Sequence, residues 1–99
     1  MLFHVEWEFT DRSEEGVKRS LEVFSRWQPP EGTDFSQAFY GYADGSGGFA
    51  LVESDSAAAL AQATAPFAPW LDFTAKVVLP IQDSAAIAGS GIAFRGATS

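Results

Sequence analysis

The stretch that decides the fold is Leu2–Phe9, LFHVEWEF, in which apolar and polar side chains alternate from Phe3 onward. Successive side chains of a β-strand point to opposite faces, so the pattern predicts a strand with one apolar and one polar face. The apolar face carries Phe3, Val5, Trp7 and Phe9, and the polar face carries His4, Glu6 and Glu8. We expect the apolar row to pack against the core.

A helix is predicted after this strand and ends before Pro29-Pro30, because the residue preceding a proline is disfavoured in helical conformation. Its start has two candidate caps: Asp11, which can form a capping-box-like pair with Glu14, and Ser13. One apolar stripe follows the helix through Val17, Leu21, Phe24 and Trp27. The opposite face carries acid-to-base pairs four residues apart, which indicates a solvated surface.

The chain from the prolines to residue 80 supplies three more strands and a second helix. The strands are expected over Ala38–Ala43, Phe49–Glu53 and Asp72–Leu79. The first two flank the glycine-rich loop Asp44–Gly48 and form a hairpin. A phosphate-binding loop is disfavoured there, because the Lys-Ser/Thr of a P-loop is missing. The alanine-rich helix Ala57–Ala65 follows, capped within Ser54-Asp55-Ser56.

The resulting order, βαββαβ, predicts an α+β fold of the ferredoxin-like type with both helices on one face of the sheet. Residues 1–80 form this domain. Residues 81–99 form a C-terminal tail with a short helix over Ala85–Ala88, begun at Asp83 or Ser84. Glycines weaken that helix, but the tail has enough apolar side chains that we expect it to dock on the same domain or on a partner subunit.

Composition excludes several classes of function. The chain has 99 residues, no cysteine and a net charge of −7, so thiolate metal sites, thiol nucleophiles and disulfides are excluded. An acidic protein repels nucleic-acid phosphates and anionic lipid surfaces, so neither is an expected partner. No segment reaches the ~20 apolar residues of a membrane span. We expect a soluble, cytoplasmic protein.

With the elements laid out, the chain resembles the dimeric α+β barrel superfamily. The opening Met1–Val5 is similar to the start of muconolactone isomerases. Four further stretches resemble a family of short bacterial proteins of unknown function in that superfamily: Phe24–Pro30, Tyr40-Gly41, Asp44–Gly48 and Ala65–Trp70. The resemblance implies that two sheets stack face to face across a two-fold axis, with a pocket beside each sheet. It supplies no activity.

His4 and Glu6 are the candidate catalytic residues, because they lie two apart on one strand and so share a face. An imidazole beside a carboxylate suits acid–base work near neutral pH. The alternative is that His4 is hydrogen-bonded structural filling and Glu6 reaches solvent or a partner. Ligand-binding candidates are His4, Tyr40 and Tyr42, whereas aromatic residues such as Trp27, Phe67 and Trp70 are expected in the core or an interface.

No metal or other cofactor is expected, because one histidine without a ligand-spacing pattern makes a poor metal site. A serine nucleophile is discounted because Gly89-Ser90-Gly91 is too short for a nucleophile elbow. We expect a homodimer that binds a small, largely apolar molecule beside the sheet. The alternatives are a cofactor-independent isomerase or monooxygenase using His4 and Glu6, and a ligand-free structural or regulatory dimer. The sequence does not decide whether the protein is an enzyme.

The dimer is predicted from apolar side chains on both faces of the sheet, of which two helices can cover only one. Counted by odd and even position, Phe39, Phe49, Leu51 and Phe73 fall on one face. Ala50, Val52 and Val78 fall on the other. A second copy would cover the exposed face.

Overall fold

The computed structural model of the protein describes residues 1–98 and confirms the α+β fold with βαββαβ order. Its elements are β1 Leu2–Phe9, α1 Glu14–Arg26, β2 Thr33–Gly41, β3 Gly47–Ser54, α2 Ala57–Thr64, a 3₁₀ turn Ala65–Phe67, β4 Leu71–Val77 and α3 Ile81–Thr98. The four strands form one antiparallel sheet in the order β2-β3-β1-β4. This arrangement is consistent with a ferredoxin-like fold.

The two faces of the sheet differ in what covers them. On the helix face, Phe3 and Val5 of β1 lie opposite Val52 and Ala50 of β3, and all four are buried. Leu60 of α2 packs against them and completes this core. The other face, here called the open face, carries His4, Glu6 and Glu8 of β1 and has no helix packed on it among residues 1–98.

The prediction that Phe39 and Phe73 share a face with Phe49 and Leu51 is wrong. The register pairs Phe39 with Ala50 and Trp7 with Phe73, so both phenylalanines lie on the helix face. Phe49 and Leu51 pair with Glu6 and His4 and lie on the open face. Odd-numbered residues do not face the same side of the sheet in every strand, because each connecting loop changes the register of the strand that follows it.

Local capping chemistry explains where the two core helices begin. Of the candidate caps of α1, Ser13 is used: its Oγ accepts from the Gly16 amide at 3.1 Å. Asp11 instead accepts from the Ser13 amide at 2.9 Å. Hydrogen bonding from the Ser13 side chain, and then from its amide, lowers the pKa of Asp11. Helix α2 begins in the same way, with Ser56 Oγ accepting from the Ala59 amide. Each cap satisfies an amide that the first helical turn leaves unpaired.

The helix in the C-terminal tail is longer than predicted. A single helix of 18 residues, α3, replaces the short helix expected over 85–88 and runs through both Gly89 and Gly91. The good helix formers around those glycines outweigh their cost of about 1 kcal/mol each. Large side chains along α3 are exposed, Ile81 by 76% and Phe94 by 71%. Docking of the tail on a partner stays a prediction.

Within residues 1–98, no helix is both long and apolar enough to cross a membrane. The longest helix is α3, and its glycines and polar groups interrupt the apolar residues.

Two adjacent glycines at the start of β3 are required by the close approach of β1. A Cβ built on Gly47 would lie 1.8 Å from the Trp7 carbonyl oxygen, and one on Gly48 would lie 2.4 Å from Trp7 Cζ2. We therefore expect Gly47→Ala to destabilise the fold by about 3 kcal/mol, the upper end of the range for overpacking. Equilibrium unfolding in urea measures this change.

The matched control is Gly89→Ala in α3, where nothing lies within 4 Å of the added Cβ. It should leave the urea midpoint unchanged or raise helical content slightly, since alanine favours helix over glycine. A Gly47→Ala protein as stable as the parent would contradict the register described above.

Candidate functional site

A cavity of about 430 Å³ lies between α1 and the helix face of the sheet. All four strands contribute to its floor, and α2 and the 3₁₀ turn close one end. Half of the lining residues are aromatic: Trp7, Phe9, Phe24, Trp27, Phe35, Phe39, Phe67 and Phe73. Its volume falls within the ~300–1,000 Å³ typical of small-molecule sites.

Helix α1 presents a small buried side chain, Ser20, to the cavity. The other buried residue of the helix, Gly16, lies against the side chain of Asp11 and does not line the cavity. The larger side chains of the same helix, Leu21 and Phe24, line the cavity but stay 58% and 48% exposed. They form a rim through which the cavity communicates with solvent.

Trp27, immediately after α1, anchors the aromatic wall. Its Nε1–H donates to the Ala63 carbonyl of α2 at 3.0 Å, which fixes the orientation of the indole. Its ring meets Phe35 edge-on at 5.2 Å and Phe67 at 6.0 Å between centroids. Edge-to-face pairs of this kind add about 0.5–1.5 kcal/mol beyond the burial of their area. The wall is therefore rigid and pre-formed.

The cavity has few polar side chains, and their hydroxyl groups already donate hydrogen bonds to the backbone. Ser20 Oγ–H donates to the Val17 carbonyl at 2.8 Å, and Thr64 Oγ1–H donates to the Ala61 carbonyl at 3.2 Å. No ionisable side chain lines the cavity in the part of the chain that the structure describes. The cavity can hold and orient an apolar molecule, but it brings no acid, base or charged group to it.

The four residues singled out from the sequence lie together on the open face, away from this cavity. His4 is half-buried and its ring stacks on Phe49 at 5.6 Å between centroids. Tyr40 and Tyr42 lie 5.8 and 6.2 Å from the same phenylalanine ring. His4 and Glu6 share a face, as predicted, and so do Tyr40 and Tyr42. None of the four lines the cavity beneath α1, and their catalytic and ligand-binding roles stay predictions.

Glu6 is hydrogen-bonded to a tyrosine. The Tyr42 hydroxyl donates to Glu6 Oε2 at 2.5 Å. This hydrogen bond, with burial and the nearby carboxylates of Glu6 and Asp44, raises the pKa of Tyr42. His4 and Glu6 share a face as expected, but the contact that the structure gives Glu6 is to a phenol. Acid–base catalysis by His4 would take place on the open face.

No group of three or more histidine, aspartate or glutamate side chains within residues 1–98 is placed to hold a metal ion. The cavity beneath α1 suits an apolar ligand, since no ionisable residue lines it among those the structure describes.

Several residues that form the cavity were not singled out from the sequence, among them Phe35, Ser20 and Gly41. The high aromatic content, 14%, suggested a cavity lined by aromatic side chains, but it did not indicate where in the fold the cavity lies. Placing it required the register of β2 and the distance of α1 from the sheet. Neither is encoded in a local pattern.

Titration of Tyr42 can test its hydrogen bond to Glu6, because that bond raises the pKa of the phenol. The chain has two tyrosines, so Tyr40→Phe leaves Tyr42 as the single titrating phenol. Ultraviolet absorbance of the phenolate should then give a pKa above the ordinary 10.0. Adding Glu6→Gln should lower it, because a neutral amide no longer favours the protonated phenol.

The sign of the effect on stability follows from linkage. A pKa higher in the folded than in the unfolded protein stabilises the fold below the unfolded pKa. That stabilisation is lost as the pH rises through the folded value. A Tyr42 titration unchanged by Glu6→Gln would contradict the hydrogen bond.

One comparison with known proteins identifies a family, and none gives an activity. A family model described as "Domain of unknown function (DUF3303)" matches residues 1–92, which include every strand and both core helices. No curated protein and no solved structure matches the chain. The resemblance to muconolactone isomerases and to the wider superfamily therefore stays an expectation from the sequence. Since the family model covers most of the chain, the protein belongs to the DUF3303 family.

Proposed function

We propose that this protein binds a small, neutral, largely apolar molecule in the cavity beneath α1. The observation that carries the proposal is the cavity itself: about 430 Å³, half aromatic in its lining residues and without an ionisable lining residue among those described. Sites for small molecules are typically concave, mostly apolar and largely pre-formed. The Trp27-anchored wall supports the pre-formed character.

Exposure at the rim supports the same function. Leu21, Phe24 and Phe39 line the cavity and are 58%, 48% and 42% exposed. Apolar surface left in water costs about 25 cal/mol per Å², so covering these side chains is favourable. A ligand seated in the cavity would bury part of each of them and would gain that free energy.

The chemistry of the lining favours binding over catalysis. Its two hydroxyl groups, on Ser20 and Thr64, donate to backbone carbonyls of their own helices. A nucleophilic hydroxyl needs a base within hydrogen-bond reach, and no lining residue supplies one. The enzyme alternative depends on His4 and Glu6 of the open face, and no cavity observation favours it.

A neutral fluorescent probe such as N-phenyl-1-naphthylamine should bind with saturable enhancement of its fluorescence. Leu21→Glu, which places a carboxylate at the apolar rim, should raise its Kd roughly tenfold, equivalent to about 1.4 kcal/mol. Fluorescence titration of parent and variant measures the difference.

Leu79→Glu is the matched control, because Leu79 is similarly exposed, at 52%, and lies outside the cavity lining. It introduces the same charge and should leave the Kd unchanged. Absence of saturable binding would contradict the proposal, as would equal weakening by both variants. The ligand-free structural dimer would then be the better account.

We also propose that a second copy of the chain covers the open face. Its centre is an aromatic patch in which Phe49 contacts the rings of His4, Tyr40 and Tyr42. Tyr40 is 61% exposed, and Leu51 extends the patch along β3. A two-fold arrangement lets the same patch cover itself in both copies.

The charges on this face support an antiparallel arrangement of the two sheets. At one end, Glu8 and Asp72 lie directly opposite each other, and at the other end His4 lies opposite Lys76. Two carboxylates in a cross-strand pair repel each other. Stacking two copies with their strands antiparallel would bring Lys76 of one copy toward the acidic end of the other, which relieves that repulsion.

Sedimentation at micromolar concentration should give twice the mass of the chain. Phe49→Glu should shift the protein to monomer, because it places a charge at the centre of the apolar contact. Leu21→Glu, on α1 at the opposite side of the sheet, replaces another exposed apolar side chain by the same charge and should leave the dimer intact.

Charge exchange tests the orientation separately. Lys76→Glu and Asp72→Lys should each weaken the dimer, and the double variant should restore it. A monomeric parent protein would refute the dimer, and a double variant as weak as the singles would refute the antiparallel arrangement.

A further inference from the structure

We infer that the molecule bound in the cavity is a neutral aromatic compound, and that Gly41 provides the slot for its ring. This inference rests on the proposed binding function and narrows its ligand class. It comes from a cross-strand pair of glycines, of which Gly41 lines the cavity, from the aromatic groups beside them and from the hydrogen bonds of the polar lining groups.

Gly41 of β2 and Gly48 of β3 lie directly opposite each other on the helix face. Above Gly48 the space is taken: a Cβ there would lie 2.4 Å from Cζ2 of the Trp7 indole. Above Gly41 the space is open, since a Cβ there would meet only the Gly47 carbonyl oxygen, at an ordinary 3.8 Å. The protein's own aromatic ring thus lies over one glycine, and the neighbouring glycine is uncovered within the cavity.

The surroundings of this slot favour a flat ring over a flexible chain. Trp7 and Phe39 meet edge to face, 5.6 Å apart with planes at 87°, and Phe39 precedes Gly41 by two residues on the same strand face. A ring lying on the Gly41 backbone can approach closely because no Cβ intervenes. Its contacts with these aromatic neighbours add about 0.5–1.5 kcal/mol per pair beyond area burial, which an alkyl chain does not gain.

The charge of the protein and of the cavity lining disfavours anionic ligands. The described lining contains no cation, and the protein carries a net charge of −7, so a carboxylate would enter an apolar cavity against an unfavourable field. The Ser20 and Thr64 hydroxyls already donate their hydrogens to backbone carbonyls. They retain acceptor lone pairs only, which suit a ligand with one hydroxyl donor, such as a phenolic ring.

Three probes of similar size separate these possibilities by calorimetric titration at neutral pH: 2-naphthol, 2-naphthoate and 1-decanol. The first is neutral and aromatic, the second is aromatic and anionic, and the third is neutral and aliphatic. We expect 2-naphthol to bind at least roughly tenfold more tightly than either of the others. Equal affinity for decanol would overturn the aromatic assignment, and equal affinity for naphthoate would overturn the neutral one.

The variant Gly41→Val tests the slot. Valine suits a strand, and its Cβ meets no clash, so the fold should be kept, as circular dichroism and the melting temperature will show. We expect it to weaken 2-naphthol binding at least roughly tenfold, whereas Ala43→Val, two residues on and outside the lining, should not. Gly41→Ala, a smaller change, should give an intermediate loss and serves if valine perturbs folding.

The outcomes distinguish the two levels of the proposal. If decanol binds and 2-naphthol does not, the cavity still binds an apolar molecule and only the ligand class is wrong. If 2-naphthol binds but Gly41→Val leaves its affinity unchanged, the slot is elsewhere. If none of the three binds, the proposed function fails together with this inference.

Discussion

The close approach of Gly47 and Gly48 to Trp7 is the constraint on which the rest of the structure depends. Side chains at these positions would meet the backbone and ring of Trp7 at 1.8 and 2.4 Å, so the two central strands can come together here only through glycine. The contact holds β3 against β1 in one register. A slip by one residue would move every apolar side chain of β3 to the opposite face.

That register determines what each face of the sheet can do. It gathers Trp7, Phe39 and Phe73 on the helix face, where they line the cavity together with the small Ser20 of α1. It also places Phe49 beside His4 and Tyr40 on the open face. The two faces of the sheet therefore differ: the helix face floors an apolar cavity, and the open face carries an aromatic patch flanked by charged residues.

The sequence predicted the elements of the fold because each has a local signal. The alternation in Leu2–Phe9, the serine caps and the glycine-rich hairpin loop each act over a few residues. The cavity could not be located in this way. Assigning Phe39 and Phe49 to one face failed because the register between strands depends on contacts distant in sequence, such as Gly48 with Trp7. Likewise, α3 extends through Gly89 and Gly91 because the helix propensity of the neighbouring residues acts collectively.

The measurement that tests this account most directly is a crystal structure of the protein soaked with a brominated 2-naphthol, with anomalous data collected for the bromine. The account predicts one bromine peak beneath α1, with the naphthol ring over Gly41 and beside Trp7 and Phe39. A peak on the open face against Phe49 and Tyr40, with the cavity empty, would contradict it.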